Sequence, residues 1–190
     1  MINLAVFASG SGSNAENLVH YFDKHPKIKV SLILSNRPDA LVLQRANRLN
    51  IPAATFNKDD FYRSDKVLKT LSNYSIDRLV LAGFLWLIPD NLLNAFPQRI
   101  INIHPALLPR YGGKGMYGRH VHEAVVANGE KESGITIHLV NAEYDRGKIL
   151  FQAKCPVFPD DTPETVAAKV HELEYRHFSE VIERWILDYV

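Results

Sequence analysis

From residue 2 to residue 104, short apolar runs of strand length alternate with segments whose apolar residues recur at helical spacing, and few folds admit that rhythm. Residues 2–8, 30–34, 53–56, 78–82 and 99–104 read as strands. Residues 15–23, 39–49, 60–73 and 90–95 read as the helices between them. In the second of these helices Leu41, Leu43, Ala46 and Leu49 lie on or near one face. Strands so uniformly apolar are buried on both sides. The pattern predicts an α/β fold, Rossmann-like and doubly wound, with a mostly parallel sheet covered by helices on both faces.

The rhythm changes after about residue 105. A glycine-rich loop, Tyr111-Gly112-Gly113-Lys114-Gly115, leads to a helix over 118–128. Residues 134–140 and 149–154 read as two strands close enough in sequence to pair antiparallel. Thr162-Pro163-Glu164 starts a long last helix over 163–187, whose apolar stripe is Val166, Val170, Leu173, Phe178, Val181 and Trp185. No linker, repeat or low-complexity segment interrupts the chain, so a single domain over 1–190 is expected.

Twenty-two basic and 21 acidic residues leave a net charge of +1. That balance exerts no general pull on nucleic acid or membrane, and neither partner is expected. The one cysteine, Cys155, permits no internal disulfide and suits a reducing compartment. The N-terminus has no basic n-region, and no apolar run approaches the roughly 20 residues of a membrane span. The expected location is cytoplasmic.

Three segments carry chemistry. Ser9-Gly10-Ser11-Gly12-Ser13-Asn14 joins the first strand to the first helix. Ser13 or Asn14 is expected to cap that helix, whose exposed amides favour an anion. The spacing G-x-G-x-x-G is absent and no Walker lysine follows, so dinucleotide and nucleoside-triphosphate binding are not supported. On local sequence an ordinary βα turn and a small phosphate pocket weigh equally. Next, Asn102-Ile103-His104-Pro105 ends a strand, because proline keeps the preceding residue extended. Asn102 and His104, two apart, point to one side, where an amide and an imidazole can hold an oxygen that becomes negative. A lone strand-end histidine is more often structural; the C-terminal edge of a parallel sheet, where ligands collect, raises the functional reading. Third, Asn141-Ala142-Glu143-Tyr144-Asp145-Arg146-Gly147 is either a solvated turn or the source of a carboxylate, Asp145, that orients an imidazole. His120 and His122 mimic ligand spacing, but residues two apart on a helix diverge by about 200°, so no metal site is expected. His138, alternating with Thr136, belongs either to the same pocket or to the core.

Gly-Ser-Gly-Ser-Asn at 10–14, Leu81-Ala82-Gly83-Phe84, Asn-Ile-His-Pro-Ala-Leu-Leu-Pro at 102–109, Gly134-Ile135-Thr136-Ile137-His138, the turn ending at Asp145, and Val157-Phe158-Pro159-Asp160-Asp161 together resemble the folate-dependent formyltransferase family, in its branch acting on glycinamide ribonucleotide. The resemblance covers essentially the whole chain. It implies transfer of a formyl group from 10-formyltetrahydrofolate, as co-substrate, to the ribonucleotide amine in purine biosynthesis. It implies small-molecule substrates, no metal, and a monomer or homodimer. It assigns catalysis to Asn102, His104 and Asp145. It assigns the substrate phosphate to Gly12, Ser13 and Asn14 in the N-terminal half, and ribose to Glu174. Folate falls to Leu85, Trp86, Leu87 and Ile88 with Asn102, Asn141 and Asp145, the C-terminal half completing that pocket. Trp86 and Asp59 stand where better-known members carry arginines, with Lys58 a substitute cation. The loop 112–118 departs from the usual shorter Pro-Gly form, Arg146-Gly147 replaces the usual Gly-Gly, and His171 replaces a glutamine. A related formyl-folate hydrolase, which passes the group to water, is the alternative; its usual N-terminal regulatory domain is not expected before a strand that starts at residue 2.

Overall fold

The computed structural model describes residues 1–188. Its seven strands form one mixed sheet in the order β3-β2-β1-β4-β5-β6-β7. These are β1 (Ile2–Phe7), β2 (Ile28–Ser35), β3 (Ala53–Thr55), β4 (Arg78–Ala82), β5 (Ile100–His104), β6 (Glu132–Leu139) and β7 (Ile149–Pro156). β1 runs parallel to β2 and β4, and β2 parallel to β3; β6 and β7 are antiparallel. The doubly wound reading and the antiparallel C-terminal pair are both observed. The chain divides into two compact units, Met1–Ile101 and Asn102–Val190.

The first unit alternates its strands with α1 (Ser13–Phe22), α2 (Leu41–Arg48), α3 (Lys58–Tyr62), α4 (Lys66–Asn73) and α5 (Asp90–Ala95). Leu4, Ala5, Val6 and Phe7 are all fully buried, as are Leu32, Ile33 and Leu79. Neighbouring residues on one strand point to opposite faces, so this continuous burial requires cover on both.

Three local expectations need correction here. The helix read over 60–73 is two helices. Asn57 and Asp60 form a reciprocal capping box that starts α3 at Lys58, and the Ser64 hydroxyl accepts the Lys66 amide at 3.3 Å, turning the chain before α4. In α2 the buried residues are Val42 and Ala46, one turn apart, while Leu41 is exposed. The third concerns α1: its N-cap is Gly12 at φ 74°, a residue with no side chain, and not Ser13 or Asn14. Glycine takes this left-handed position without strain. Nothing else fits, since a Cβ on Gly12 would collide with the Val42 side chain and lie 2.8 Å from its Cα.

The second unit holds α6 (Arg119–Ala127), the β6–β7 ribbon and α7 (Pro163–Asp188). Val121, Val125, Ile135, Ile137, Val166, Val170, Phe178, Ile182 and Ile186 are almost fully buried. Each contributes about 1.5–3 kcal/mol relative to an exposed position. Along α7 the buried set includes Ile182 and Ile186 beside the expected stripe, and Leu173 is only half-buried. The helix starts at Pro163 as expected. Just before it, Asp161 accepts the Phe158 amide at 2.7 Å and pairs with Lys169 at 2.5 Å. The ribbon register shifts between Ile137 and His138, with Ile137 opposite Phe151 and His138 opposite Ile149. Such a bulge re-aims the side chain beside it, here His138.

Candidate active site

β5 ends at His104, and the chain turns at once. The turn is held by Thr136, whose hydroxyl donates to the Ala106 carbonyl (2.6 Å) and accepts the Leu108 amide (3.0 Å) and the Gln152 amide nitrogen (2.8 Å). Thr136 is fully buried, so its hydroxyl is satisfied by protein groups rather than by bulk water. The carboxylate arrives from the β6–β7 connection. Gly147 closes that turn, where any Cβ would strike the Leu139 carbonyl, and Asp145 sits at φ 55°, a left-handed conformation that aspartate tolerates.

These elements bring Asn102, His104 and Asp145 together, and His138 with them. His104 Nδ1 lies 3.5 Å from Asp145 Oδ2, and His138 Nε2 lies 3.5 Å from Asp145 Oδ1. The Asn102 amide nitrogen is 3.1 Å from His138 Nε2 and 3.5 Å from Asp145 Oδ1. His138 Nδ1 rests on the Leu139 carbonyl at 2.8 Å. A carbonyl only accepts, so Nδ1 carries a proton; in the neutral ring Nε2 accepts from Asn102, and in the charged ring it donates toward Asp145 Oδ1. The neutral ring's acceptor sets the orientation of the Asn102 amide, with its nitrogen toward His138. His104 Nε2 in turn donates to the Tyr111 carbonyl at 2.7 Å, and the Gly113 amide donates to Asp145 Oδ2 at 2.9 Å.

His104 is 4% exposed and His138 2%, so the local charges act in a medium that screens them weakly. Burial is the largest influence on His104 and takes its pKa below the ordinary histidine value, against the upward pull of Asp145 and the Tyr111 carbonyl. For Asp145, burial favours the neutral acid, but the His138 ring, the charge on His104 and the Gly113 amide outweigh it and hold its pKa below the usual carboxylate range. The cluster is therefore an ionised carboxylate between two imidazoles, with a carboxamide alongside. Such a set can stabilise an oxyanion and relay a proton.

Glu174, on α7, is 7% exposed. It pairs with His171 Nδ1 at 2.9 Å, which raises the His171 pKa; burial takes the His122 pKa below the ordinary histidine value, against the pull of Glu174. His122 is buried and His120 exposed, as their helical spacing requires. Among the described residues no group of three or more His, Cys, Asp or Glu is placed to hold a metal ion. Asn141 is exposed and accepts the Glu143 amide within its own turn, at 3.0 Å.

In the first unit the Ser9–Asn14 loop is braced from behind. The Val42 amide donates to the Gly10 carbonyl (3.1 Å) and Arg45 Nε to the Ser11 carbonyl (2.8 Å). Ser9 Oγ accepts the Leu85 amide at 3.1 Å, tying this loop to the 85–88 segment. Trp86 packs in an aromatic cluster with Phe56, Phe61, Tyr62 and Phe84, ring centroids 5.7–6.3 Å away. The Tyr62 hydroxyl donates to the Leu87 carbonyl at 3.0 Å. Asp59 pairs with Arg63, and Lys58 Nζ lies 6.0 Å from the centre of the Trp86 ring.

Sequence reasoning left one participant open and missed two. His138 was open between core and pocket, and its alternation with Thr136 was the available signal. The Tyr111 carbonyl and the Gly113 amide are backbone groups, which no residue type announces.

The formyl transferase family model matches residues 2–182. A chloroplastic phosphoribosylglycinamide formyltransferase of Arabidopsis thaliana is 43% identical over 185 residues, covering 94% of this chain and 63% of its own length. A second chloroplastic protein, from Vigna unguiculata, is covered over 59% of its length, so the chain spans about three fifths of these two plant relatives. The phosphoribosylglycinamide formyltransferase of Haemophilus influenzae is 36% identical, with 99% of this chain and 88% of that one covered. Among solved structures, the phosphoribosylglycinamide formyltransferase of Streptococcus pneumoniae superimposes with a TM-score of 0.85 at 34% identity, covering 98% of this chain and 99% of that one. Glycinamide ribonucleotide transformylase 1 of Geobacillus kaustophilus gives 0.86 at 35% identity, covering 95% and 96%. On its sequence and its fold alike, the chain belongs to the formyl transferase family.

Proposed function

We propose that this chain transfers the formyl group of 10-formyltetrahydrofolate to the amine of glycinamide ribonucleotide. The observation that carries the reading is the convergence of Asn102, His104 and Asp145, with Asp145 ionised beside His104. The relatives' names supply the substrates.

In this mechanism the ribonucleotide amine attacks the formyl carbon. A carbon–nitrogen bond forms and the carbonyl electron pair moves onto oxygen. The Asn102 amide donates to that oxygen. Its contact to Asp145 Oδ1, at 3.5 Å, is at the limit of a hydrogen bond and is given up at little cost, while the 3.1 Å bond to His138 keeps the group oriented. Protonated His104 supplies positive charge beside it. Asp145 accepts a proton from the amine and passes it to the folate nitrogen, whose bond to the formyl carbon then breaks. No covalent enzyme intermediate and no metal enters these steps.

The amides at the start of α1, from Gly12 to Asn14, together with the Ser13 and Asn14 side chains, bind the phosphate of the ribonucleotide. Glu174 accepts hydrogen bonds from its ribose hydroxyls. Backbone groups of Leu85, Trp86, Leu87 and Ile88 meet the pterin, Asn141 contributes to the same folate site, and Lys58 offers a cation to the glutamate end.

The deciding assay measures folate release from 10-formyltetrahydrofolate with glycinamide ribonucleotide present, against a control with water only. Release that depends on the ribonucleotide supports the transferase; equal release in both would make the chain the hydrolase. In Asp145→Asn or His104→Ala, turnover is expected to fall by about 10²–10³, roughly 3–4 kcal/mol of transition-state stabilisation, with folate binding little changed. Near-parental turnover in both variants removes the catalytic assignment.

A further inference from the structure

One short segment holds both His104 and Asp145, and that segment is anchored outside the cluster. Tyr111 presents its carbonyl to His104 Nε2 at 2.7 Å, and Gly113, two residues on, presents its amide to Asp145 Oδ2 at 2.9 Å. Tyr111 adopts φ 56°, a left-handed conformation that a bulky aromatic residue takes only under outside constraint. The constraint is visible. The Tyr111 hydroxyl donates to Glu130 Oε1 at 2.7 Å, and Arg110, one residue earlier, forks onto the same carboxylate, with Nη1 to Oε2 at 2.8 Å and Nη2 on Oε1. Glu130 follows α6 and is largely shielded from solvent. At Gly112, between the two bonding residues, a Cβ would meet Leu108 Cδ2 at 2.5 Å and Asp145 Cβ at 3.3 Å, so the strand of chain lies flat against the carboxylate.

We propose that Glu130 is a positioning residue for His104, acting through Tyr111: the Glu130–Tyr111–Arg110 anchor fixes the carbonyl that keeps His104 protonated at Nε2 and thereby leaves Nδ1, facing Asp145, as the one ring atom that gains and loses a proton. The chemistry follows from the donor rules. A carbonyl only accepts, so Nε2 must donate to it. The second proton of the ring is then held at Nδ1, 3.5 Å from Asp145 Oδ2, so the charge of His104 faces the carboxylate. Without the anchor Tyr111 relaxes from its left-handed conformation, the carbonyl moves away, and the ring is free to take the opposite tautomer.

This builds on the proposed reaction for its kinetic arm, but the tautomer is measured without any substrate. The probe is the nitrogen NMR of 15N-histidine-labelled protein, with His104 assigned by its loss in His104→Gln. In the parent, Nε2 carries the proton. In Tyr111→Phe and Glu130→Ala the signal is expected to shift toward an Nε2/Nδ1 mixture. Turnover should fall about 10–100-fold, with KM for both substrates within about twofold. Glu130→Gln, which keeps an acceptor for the tyrosine hydroxyl, should restore much of both. Tyr111→Phe, a single-atom deletion, serves if Glu130→Ala fails to fold. An unchanged His104 tautomer in Tyr111→Phe overturns the proposal whatever turnover does, as does parental turnover with a shifted tautomer. A parent with no formyl transfer at all would instead overturn the proposed function and leave the tautomer result standing.

Discussion

Gly12→Ala tests how tightly α2 holds the loop that precedes α1. Two costs add. A non-glycine residue at φ 74° costs about 1–2 kcal/mol of backbone strain. The new Cβ would also press into the Val42 side chain and lie 2.8 Å from the Val42 Cα. Val42 is fully buried and its amide is bonded to the Gly10 carbonyl, so it cannot simply move aside. Overpacking of this kind costs about 1–3 kcal/mol. The sum, about 2–5 kcal/mol, is a large part of a typical total stability of 5–15 kcal/mol. It corresponds to a fall in Tm of roughly 4–20 °C for a chain of this size. Urea unfolding of the parent, Gly12→Ala, Val42→Ala and the double variant measures it. Val42→Ala removes the methyl nearest the new Cβ but leaves its own Cβ and Cα, so the two changes should couple favourably by at least about 0.5 kcal/mol without cancelling. Gly10→Ala is the internal control: nothing lies within 4 Å of its Cβ, and the cost should stay within about 0.5 kcal/mol. A Gly12→Ala protein within about 0.5 kcal/mol of the parent, or strict additivity in the cycle, would refute the reasoning.

Thr136→Val keeps the shape of a fully buried residue but strands the Leu108 amide and the Ala106 carbonyl; a loss of about 2–4 kcal/mol is expected by urea unfolding, and Thr136→Ser should recover most of it. Asp161 should titrate at about 2 by carboxyl-carbon NMR, because its bonds to Lys169, the Phe158 amide and Thr165 favour the anion. Its folded pKa lies below the unfolded value, so its contribution to stability is present above about pH 4 and disappears as pH falls toward 2; Asp161→Asn should destabilise at pH 7 and lose that difference near pH 2. At the proposed ribonucleotide site, Ser13→Ala and Asn14→Ala should raise KM for glycinamide ribonucleotide and leave KM for folate unchanged; a folate-side effect alone would reverse the assignment of the two substrates.

Much of the fold was legible in the sequence because its signals are local. Uniformly apolar runs at β1, β2 and β4 announce strands buried on both faces, and Thr162-Pro163 announces the start of α7. The errors fell where a few residues outvote a pattern. A helical period spans 60–73, but the capping box at Asn57 and the Ser64 turn divide it. Leu41 looks like core by hydrophobicity, yet the face of α2 that packs inward carries Val42 and Ala46, because the loop at Gly10–Gly12 rests there. Ser13 and Asn14 have cap chemistry, but the left-handed Gly12 ends the loop before either is needed.

By itself the sequence determined which residues carry usable chemistry and on which elements they sit: Asn102 and His104 at the end of one strand, Asp145 in a turn, Thr136 and His138 alternating on another strand. Those are consequences of periodicity and of proline and glycine geometry, which act over a few residues. Tertiary structure alone decided that residues 102, 104, 111, 113, 138 and 145 meet within hydrogen-bond reach. That depends on a one-residue shift in the β6–β7 register, a turn closed by Gly147, and an anchor at Glu130 that puts backbone groups of Tyr111 and Gly113 against His104 and Asp145. Backbone amides and carbonyls are the same in every residue, so their roles emerge only once the chain has been folded around them.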